Sequence, residues 1–152
     1  MISCSSQKSA VTSTILTTAI IECTQITNDG NYIINVQGNG KNVDKAIEDA
    51  LKNAVTGILF DGIPGSSTNG IQSQKPLVKD ATIRMAKHDY FQDFFENGDY
   101  RLYVDTLPNS FPRIVKVNGG VKVNVSVILK KNLLRHRLEK DGIIKSLGEQ
   151  LK

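Results

Sequence analysis

Two histidines with acidic or basic neighbours are the first residues of this chain that could support acid–base or metal chemistry. His88 is followed by Asp89 and, five residues further on, by Asp93. Only residues three or four apart share a helix face, so this spacing is poor for a common metal or proton-transfer site. His136 lies between two arginines, Arg135 and Arg137. We expect both histidines to be ordinary surface residues.

The glycine pair of Gly38-Asn39-Gly40 could suggest a phosphate-binding loop. The dinucleotide fingerprint needs a third glycine where this chain has Val43, and no Gly-Lys-Ser/Thr sequence follows. We therefore expect these glycines to serve a turn that requires positive φ. Asp44, Glu48 and Asp49 are expected on a helix surface and not as a hydrolase pair. No catalytic residue, metal site or cofactor is predicted, and the chain is not expected to be an enzyme.

The composition is that of one folded domain. The chain has 152 residues, of which 39% are hydrophobic and 22% are charged, enough for an ordinary core. No apolar stretch approaches the length of a transmembrane helix. Two cysteines and two histidines cannot form a disulfide framework or a histidine-rich metal site.

Positive charge is concentrated near the C-terminus. Residues 113–152 carry ten Lys/Arg and three Asp/Glu, whereas residues 1–112 carry nine and twelve. A basic segment could contact phospholipid headgroups, nucleic acid or an acidic protein, although it is also typical of a solvated helix face. Residues 113–152 contain no aromatic side chain, which argues against nucleic-acid binding. The candidate basic strip consists of Lys130, Lys131, Arg135, Arg137, Lys140 and Lys145.

The first half of the chain shows a strand pair followed by a helix. Val11 to Ile26 is rich in Thr, Ile and Val, and a turn at residues 28–31 leads to a second strand, which predicts a β-hairpin. Apolar residues from Val43 to Leu59 recur at helical spacing, with Asn42 as the N-cap. Residues 61–76, rich in Gly, Pro and Ser, predict a long mobile loop.

The second half predicts a further helix, three strands and a closing helix. The helix runs from Val78 to Glu96, and the first strand after it is Tyr100 to Val104. Ile114, Val115 and Val117 form the next strand, which leads to a turn at Asn118-Gly119-Gly120, and Val121 to Leu129 alternates as a half-buried strand does. The order ββ-α-α-βββ-α predicts an α+β fold, an antiparallel sheet of about four to five strands with helices packed on one face. Its core is predicted to contain Ile47, Leu51, Val55, Ile58, Phe94, Val123, Val125 and Val127.

The N-terminus resembles the end of a bacterial lipobox. Met1-Ile2-Ser3 precedes Cys4, and the polar run after Cys4 resembles the tether of a mature lipoprotein. The basic and apolar segments that come before a lipobox are missing from this sequence, so the alternative is an unmodified Cys4 in a frayed leader. Residues 1–10 are thus predicted to be a flexible leader or tether of a single domain at residues 11–152. The resemblance implies lipidation of Cys4 and a membrane anchor.

A second resemblance covers the predicted first helix. Its sequence is Gly38-Asn39-Gly40-Lys41-Asn42-Val43-Asp44-Lys45-Ala46-Ile47-Glu48-Asp49-Ala50-Leu51-Lys52-Asn53-Ala54-Val55. The segment is similar to the "G-x-G … A-I-x-D-A-L-x-x-A-V" helix of small bacterial envelope domains, found in outer-membrane lipoproteins and in the N-terminal domain of flagellar-assembly protein T. This resemblance implies an α+β scaffold or assembly module with no catalytic residues to carry over.

Three functions remain open at this point. The first is a non-catalytic lipoprotein domain in the cell envelope, anchored through Cys4, facing the periplasm or the exterior and binding an unidentified envelope protein. The second is a basic adaptor that binds nucleic acid or anionic lipid through residues 130–145. The third is an enzyme with a site under the 61–76 loop. Without the anchor, a cytoplasmic location is expected.

Overall fold

The computed structural model describes residues 19–150. The strands are β1 (Ile20–Ile26), β2 (Tyr32–Gly40), β3 (Val104–Thr106), β4 (Arg113–Val117) and β5 (Gly120–Leu129). The α-helices are α1 (Val43–Thr56), α2 (Ala81–Ala86), α3 (His88–Glu96), α4 (Lys131–Lys140) and α5 (Leu147–Gln150). A π-helical turn (Gly57–Asp61) extends α1, and a 3₁₀ helix (Asp99–Tyr103) leads into β3.

The strands form one antiparallel sheet in the order β1-β2-β5-β3, and β4 also pairs with β5. Strand β3 pairs with residues 127–129 of β5, whereas β4 pairs with residues 120–124. The two short strands therefore follow one another along the same edge of β5. This arrangement confirms the predicted α+β fold with its antiparallel sheet.

One face of the sheet is buried, as the alternation in β5 predicts. In β2 the buried side chains include Ile34 and Val36, which lie opposite Val127 and Val125 of β5. Helix α1 packs on this face, and Asn42 caps it by accepting a hydrogen bond from the Lys45 amide at 3.0 Å. The predicted N-cap is confirmed.

The glycines of β2 serve close packing, and the predicted positive-φ turn is wrong. Gly38 and Gly40 are strand residues, and neither has a positive φ. A Cβ on Gly38 would lie 2.1 Å from the Ala46 carbonyl oxygen and 2.4 Å from the Ala50 amide nitrogen. Only a residue without a side chain lets α1 approach β2 so closely.

This close approach also changes the helix stripe that enters the core. The alanines at 46, 50 and 54 are fully buried, together with Val55. Ile47 and Leu51 are only partly buried at the edge of the core, because the backbone separation leaves room for methyl groups alone at the centre. The predicted core residues Ile47 and Leu51 thus pack against the core but are not fully buried. The other predicted core residues, Val55, Ile58, Phe94, Val123, Val125 and Val127, are buried.

Two predicted elements differ from the structure. The helix predicted over Val78 to Glu96 is interrupted at Lys87, which separates α2 from α3. The segment predicted as a strand from Tyr100 is a 3₁₀ helix, and only Val104 begins β3. A repeat of about three residues per turn places Tyr100 and Tyr103 on one side. There Tyr103 stacks on Phe94, with ring centroids 5.9 Å apart.

The 61–76 segment folds back on itself and contacts the sheet. Reciprocal backbone hydrogen bonds join Ile63 to Gln74 and Ser66 to Ile71. The Tyr32 hydroxyl donates to Gln74 Oε1 at 3.0 Å, and Ile63 is buried. The mobility expected from the composition of this segment stays a prediction. Of the predicted first strand, residues 11–18 lie outside the described residues.

Candidate functional site

Strand β4 is the most exposed strand of the sheet. All five of its residues are exposed, and among the described strands it pairs only with β5. Ile114, Val115 and Val117 keep 49%, 51% and 45% of their surface accessible, and Phe111, just before the strand, keeps 92%. Hydrophobic side chains thus line an edge whose outward backbone groups have no strand partner within residues 19–150.

A tight turn fixes which side chains of β4 and β5 lie together. Asn118-Gly119 joins the two strands, with Gly119 at φ +80°. The resulting register places Arg113 opposite Asn124 and Val115 opposite Lys122. Because side chains alternate between the two faces of a strand, these four lie on the face of the sheet away from α1.

These side chains border a cleft of about 180 Å³ on the open face. Gln37 of β2 lies opposite Asn124 and closes the other side of the cleft. The lining side chains are two cations, two amides and one valine: Arg113, Lys122, Gln37, Asn124 and Val115. Val123, whose side chain is buried on the α1 side, also borders the cleft. Such a lining suits a ligand group that is anionic and carries some apolar surface.

Beside this cleft, the open-face side chains of Ser126, Asn35 and Glu22 are joined by hydrogen bonds. Ser126 Oγ donates to Asn35 Oδ1 at 2.8 Å, and Asn35 Nδ2 donates to Glu22 Oε1 at 3.5 Å. In contrast, Asn124 Oδ1 is buried and has no hydrogen-bond partner among the described residues. A buried amide oxygen that lacks a partner is costly, so a ligand that donates to Asn124 would gain affinity.

The charged residues of the β4–β5 hairpin, Arg113, Lys116 and Lys122, are all positive. No ion pair involves Arg113, Lys116 or Lys122 within the described part of the chain. The sequence contains no Asp or Glu from Thr106 to Leu138. The positive field at this edge is therefore not compensated locally, which favours anionic partners.

Within residues 19–150, most basic residues of the strip predicted at residues 130–145 have ion-pair or hydrogen-bond partners, unlike Arg113, Lys116 and Lys122. Lys130 pairs with Asp105 at 2.7 Å, and Lys131 donates to Gln74 Oε1 at 3.1 Å. Arg135 and Arg137 are also ion-paired, with Glu139 and with Asp99 and Asp141, respectively. Lys140 and Lys145 are exposed. Most of the strip is therefore engaged in contacts that hold α4 on the body of the protein.

A compact polar cluster lies between α3 and the end of α4. The Tyr90 hydroxyl donates to Asp141 Oδ2 at 2.6 Å, and Arg137 Nε donates to the same oxygen. These hydrogen bonds lower the pKa of Asp141. Burial and then the Asp141 carboxylate raise the pKa of Tyr90, and Asp141 raises that of Arg137. The cluster links α3 to the end of α4, which is a structural role.

The structure does not bring the other candidate residues together. His88 and His136 are exposed, and residues 19–150 hold no group of three His, Cys, Asp or Glu side chains that could bind a metal. Cys23 is buried in the core, and burial raises the pKa of its thiol. The predicted lipidation residue, Cys4, lies outside the described residues. None of the helices within 19–150 is long and apolar enough to span a membrane.

The β4–β5 edge escaped the sequence analysis. Ile114, Val115 and Val117 gave a strand signal, but period-two patterning does not show on which side a strand is paired. The available signal was the absence of acidic residues between Thr106 and Leu138. The sequence instead predicts the basic surface on the C-terminal helix, because the basic residues are densest there.

Comparisons with known proteins do not assign this chain to a family. No protein-family model, curated protein or solved structure matches the chain. The resemblance to envelope lipoprotein domains therefore rests on the quoted residues alone.

Proposed function

We propose that this chain is a non-catalytic protein-interaction domain and that the free edge of β4 is its docking surface. The observation that carries the proposal is the exposure of every residue of β4, a strand that pairs on only one side among the strands of residues 19–150. An edge strand offers alternating N–H and C=O groups to an extended segment, and hydrophobic side chains beside it add contact area.

The other edges of the sheet are less accessible to a partner. At the β1 edge, the Cys23 amide donates to the Pro64 carbonyl at 3.3 Å, so the 61–76 segment lies against that strand. Strand β3 is only three residues long, which is short for strand addition. These features favour β4 as the surface that meets a partner.

Site-specific photo-crosslinking in the native host tests this proposal. A photoreactive amino acid at Val115 should give a discrete adduct, whereas the same residue at Met85, which is 81% exposed on α2, should not. The Met85 position controls for general surface reactivity. Equal labelling at both positions, or no adduct at Val115, would contradict the docking role of β4.

We further propose that the domain is held at the bacterial cell envelope by lipidation of Cys4. The support is the sequence pattern around Cys4. Two or three acyl chains on one residue anchor durably, because each buried methylene contributes about 0.8 kcal/mol. Mass spectrometry of protein expressed from its native locus should find an acylated Cys4. A free thiol there, or a Cys4→Ser variant that still fractionates with membranes, would end this proposal.

The alternative function, binding of nucleic acid or anionic lipid through residues 130–145, is less favoured by the contacts described above. An incoming phosphate would compete with the carboxylates that already pair with Lys130, Arg135 and Arg137. A salt-dependent gel shift or vesicle sedimentation assay tests it. Binding that is lost in an Arg135→Glu variant but kept in Arg113→Glu would favour the alternative.

A further inference from the structure

We propose that the segment bound by β4 is an extended acidic strand whose carboxylates, on one of its faces, are held by Arg113 and Lys122, while Lys116 adds positive charge at the other face. This inference rests on the proposed function and adds the chemistry of the partner. The partner strand would add to the free edge of β4 and extend the antiparallel sheet beyond it.

The register of the hairpin places these cations where such a strand would pass. Arg113 and Lys122 border the cleft on the open face, and Lys116 lies on the opposite face of β4. Side chains two residues apart in an added strand are about 7 Å apart along it. Carboxylates at every second residue of the partner strand would therefore all lie on the side of the cleft.

The cations are available because no carboxylate within residues 19–150 forms an ion pair with them. Around α1, by contrast, Glu48 binds Arg101 at 2.8 Å and Lys45 at 3.1 Å, and these contacts lower its pKa. No described carboxylate has such a role beside β4. A carboxylate brought by a partner would make charge-assisted hydrogen bonds that replace only bonds to water.

The same charges disfavour the main competing occupant, a second copy of this chain. Pairing β4 with its own copy would bring two sets of Arg113, Lys116 and Lys122 together, with no acidic residue between Thr106 and Leu138 to offset them. Like charges at an edge suppress self-association. The positive charges of this edge thus favour an acidic partner and disfavour pairing between two copies of β4.

The recognition can be tested with synthetic peptides. The probe is a fluorescent, end-blocked peptide of about ten residues that alternates Glu and Val, measured by anisotropy with the full chain. The first control replaces every Glu with Gln, and the second keeps Glu but carries N-methyl groups on alternate amides, which removes strand hydrogen bonding. We expect the Glu peptide to bind about tenfold or more tightly than the Gln peptide at low salt. This preference should shrink between about 0.01 M and 0.15 M salt.

Charge variants locate the binding site. R113E/K122E should lose the preference for Glu, whereas K79E/K87E, which makes the same net-charge change at exposed lysines outside the sheet, should keep it. If R113E/K122E does not fold, R113Q/K122Q removes the cations without adding negative charge. Amide chemical shifts should move along β4 when the Glu peptide is added.

Three results would overturn the inference: equal affinity of the Glu and Gln peptides, equal weakening by both charge-reversal pairs, or unchanged affinity of the N-methylated peptide. In each case the crosslink at Val115 is still a separate test of the proposed function. If that crosslink forms while the peptides fail, β4 is a docking edge for a partner of other chemistry. If the crosslink is missing as well, the proposed function fails too.

Discussion

Adding one methyl group at Gly38 should destabilise the domain strongly. In Gly38→Ala the new Cβ would lie 2.1 Å from the Ala46 carbonyl oxygen, whereas ordinary contact begins at 3.4 Å. Both this oxygen and the Ala50 nitrogen, 2.4 Å away, are backbone atoms. No change of rotamer can relieve the overlap, so helix α1 must move away from β2 by about 1 Å or more.

The loss of unfolding free energy depends on the packing contacts that this movement of α1 weakens. The alanines at 46, 50 and 54 of α1 are fully buried, and a gap of about 0.5–1 Å forfeits a quarter to a half of the attraction of each contact. Overpacking costs about 1–3 kcal/mol and occasionally more, and the fixed backbone places this site at the upper end. Loss of glycine entropy in the unfolded chain offsets about 0.4–1 kcal/mol. We expect a net loss of about 2–3 kcal/mol.

Urea unfolding measures this loss. With a slope of about 2 kcal/mol per molar, the midpoint should fall by roughly 1–1.5 M. Gly148→Ala is the matched control, since a Cβ there meets no atom within 4 Å, and its midpoint should not fall. A Gly38→Ala midpoint within about 0.3 M of the parent protein would refute the close packing of α1 on β2.

Three further measurements check the structure elsewhere. Leu134→Ala should lower the unfolding free energy by about 2–5 kcal/mol because Leu134 is fully buried. Leu133→Ala, at a residue that is 52% exposed, should lower it by less than about 0.5 kcal/mol. Equal losses would contradict the orientation of α4. The folded-state pKa of Asp141 is lowered, so its stabilisation is present above its unfolded pKa of about 3.9 and is lost as pH falls through the folded pKa. Asp141→Asn should therefore flatten the unfolding free energy in that acid range, and an unchanged pH profile would contradict the cluster between α3 and the end of α4. Amide exchange should be slow at Ile63 and Gln74, which are hydrogen-bonded to each other, and fast at the tip between them; fast exchange throughout would show that the whole segment is mobile.

Local signals were sufficient for the fold class and for several boundaries. The alternation in β5 and the helical spacing after Asn42 both arise from burying one side of a regular element, so each is visible in a short window of sequence. The break at Lys87 and the 3₁₀ helix at Asp99–Tyr103 were not visible in this way. Tyr100 and Tyr103 suit a strand by propensity, but the position of Phe94 selects the tighter helix.

The sequence by itself determined that this chain forms an α+β domain and that its C-terminal part is basic. Only the tertiary structure decided which basic residues are compensated. Arg137 pairs with Asp99, which is 38 residues away in the chain. Arg113 instead lies opposite Asn124 and Lys122 opposite Val115, and neither pairs with a carboxylate in the described part of the chain. It also decided that Gly38 serves close packing and that β4 lies at an open edge. Each of these depends on contacts between residues distant in sequence, which composition and periodicity do not encode.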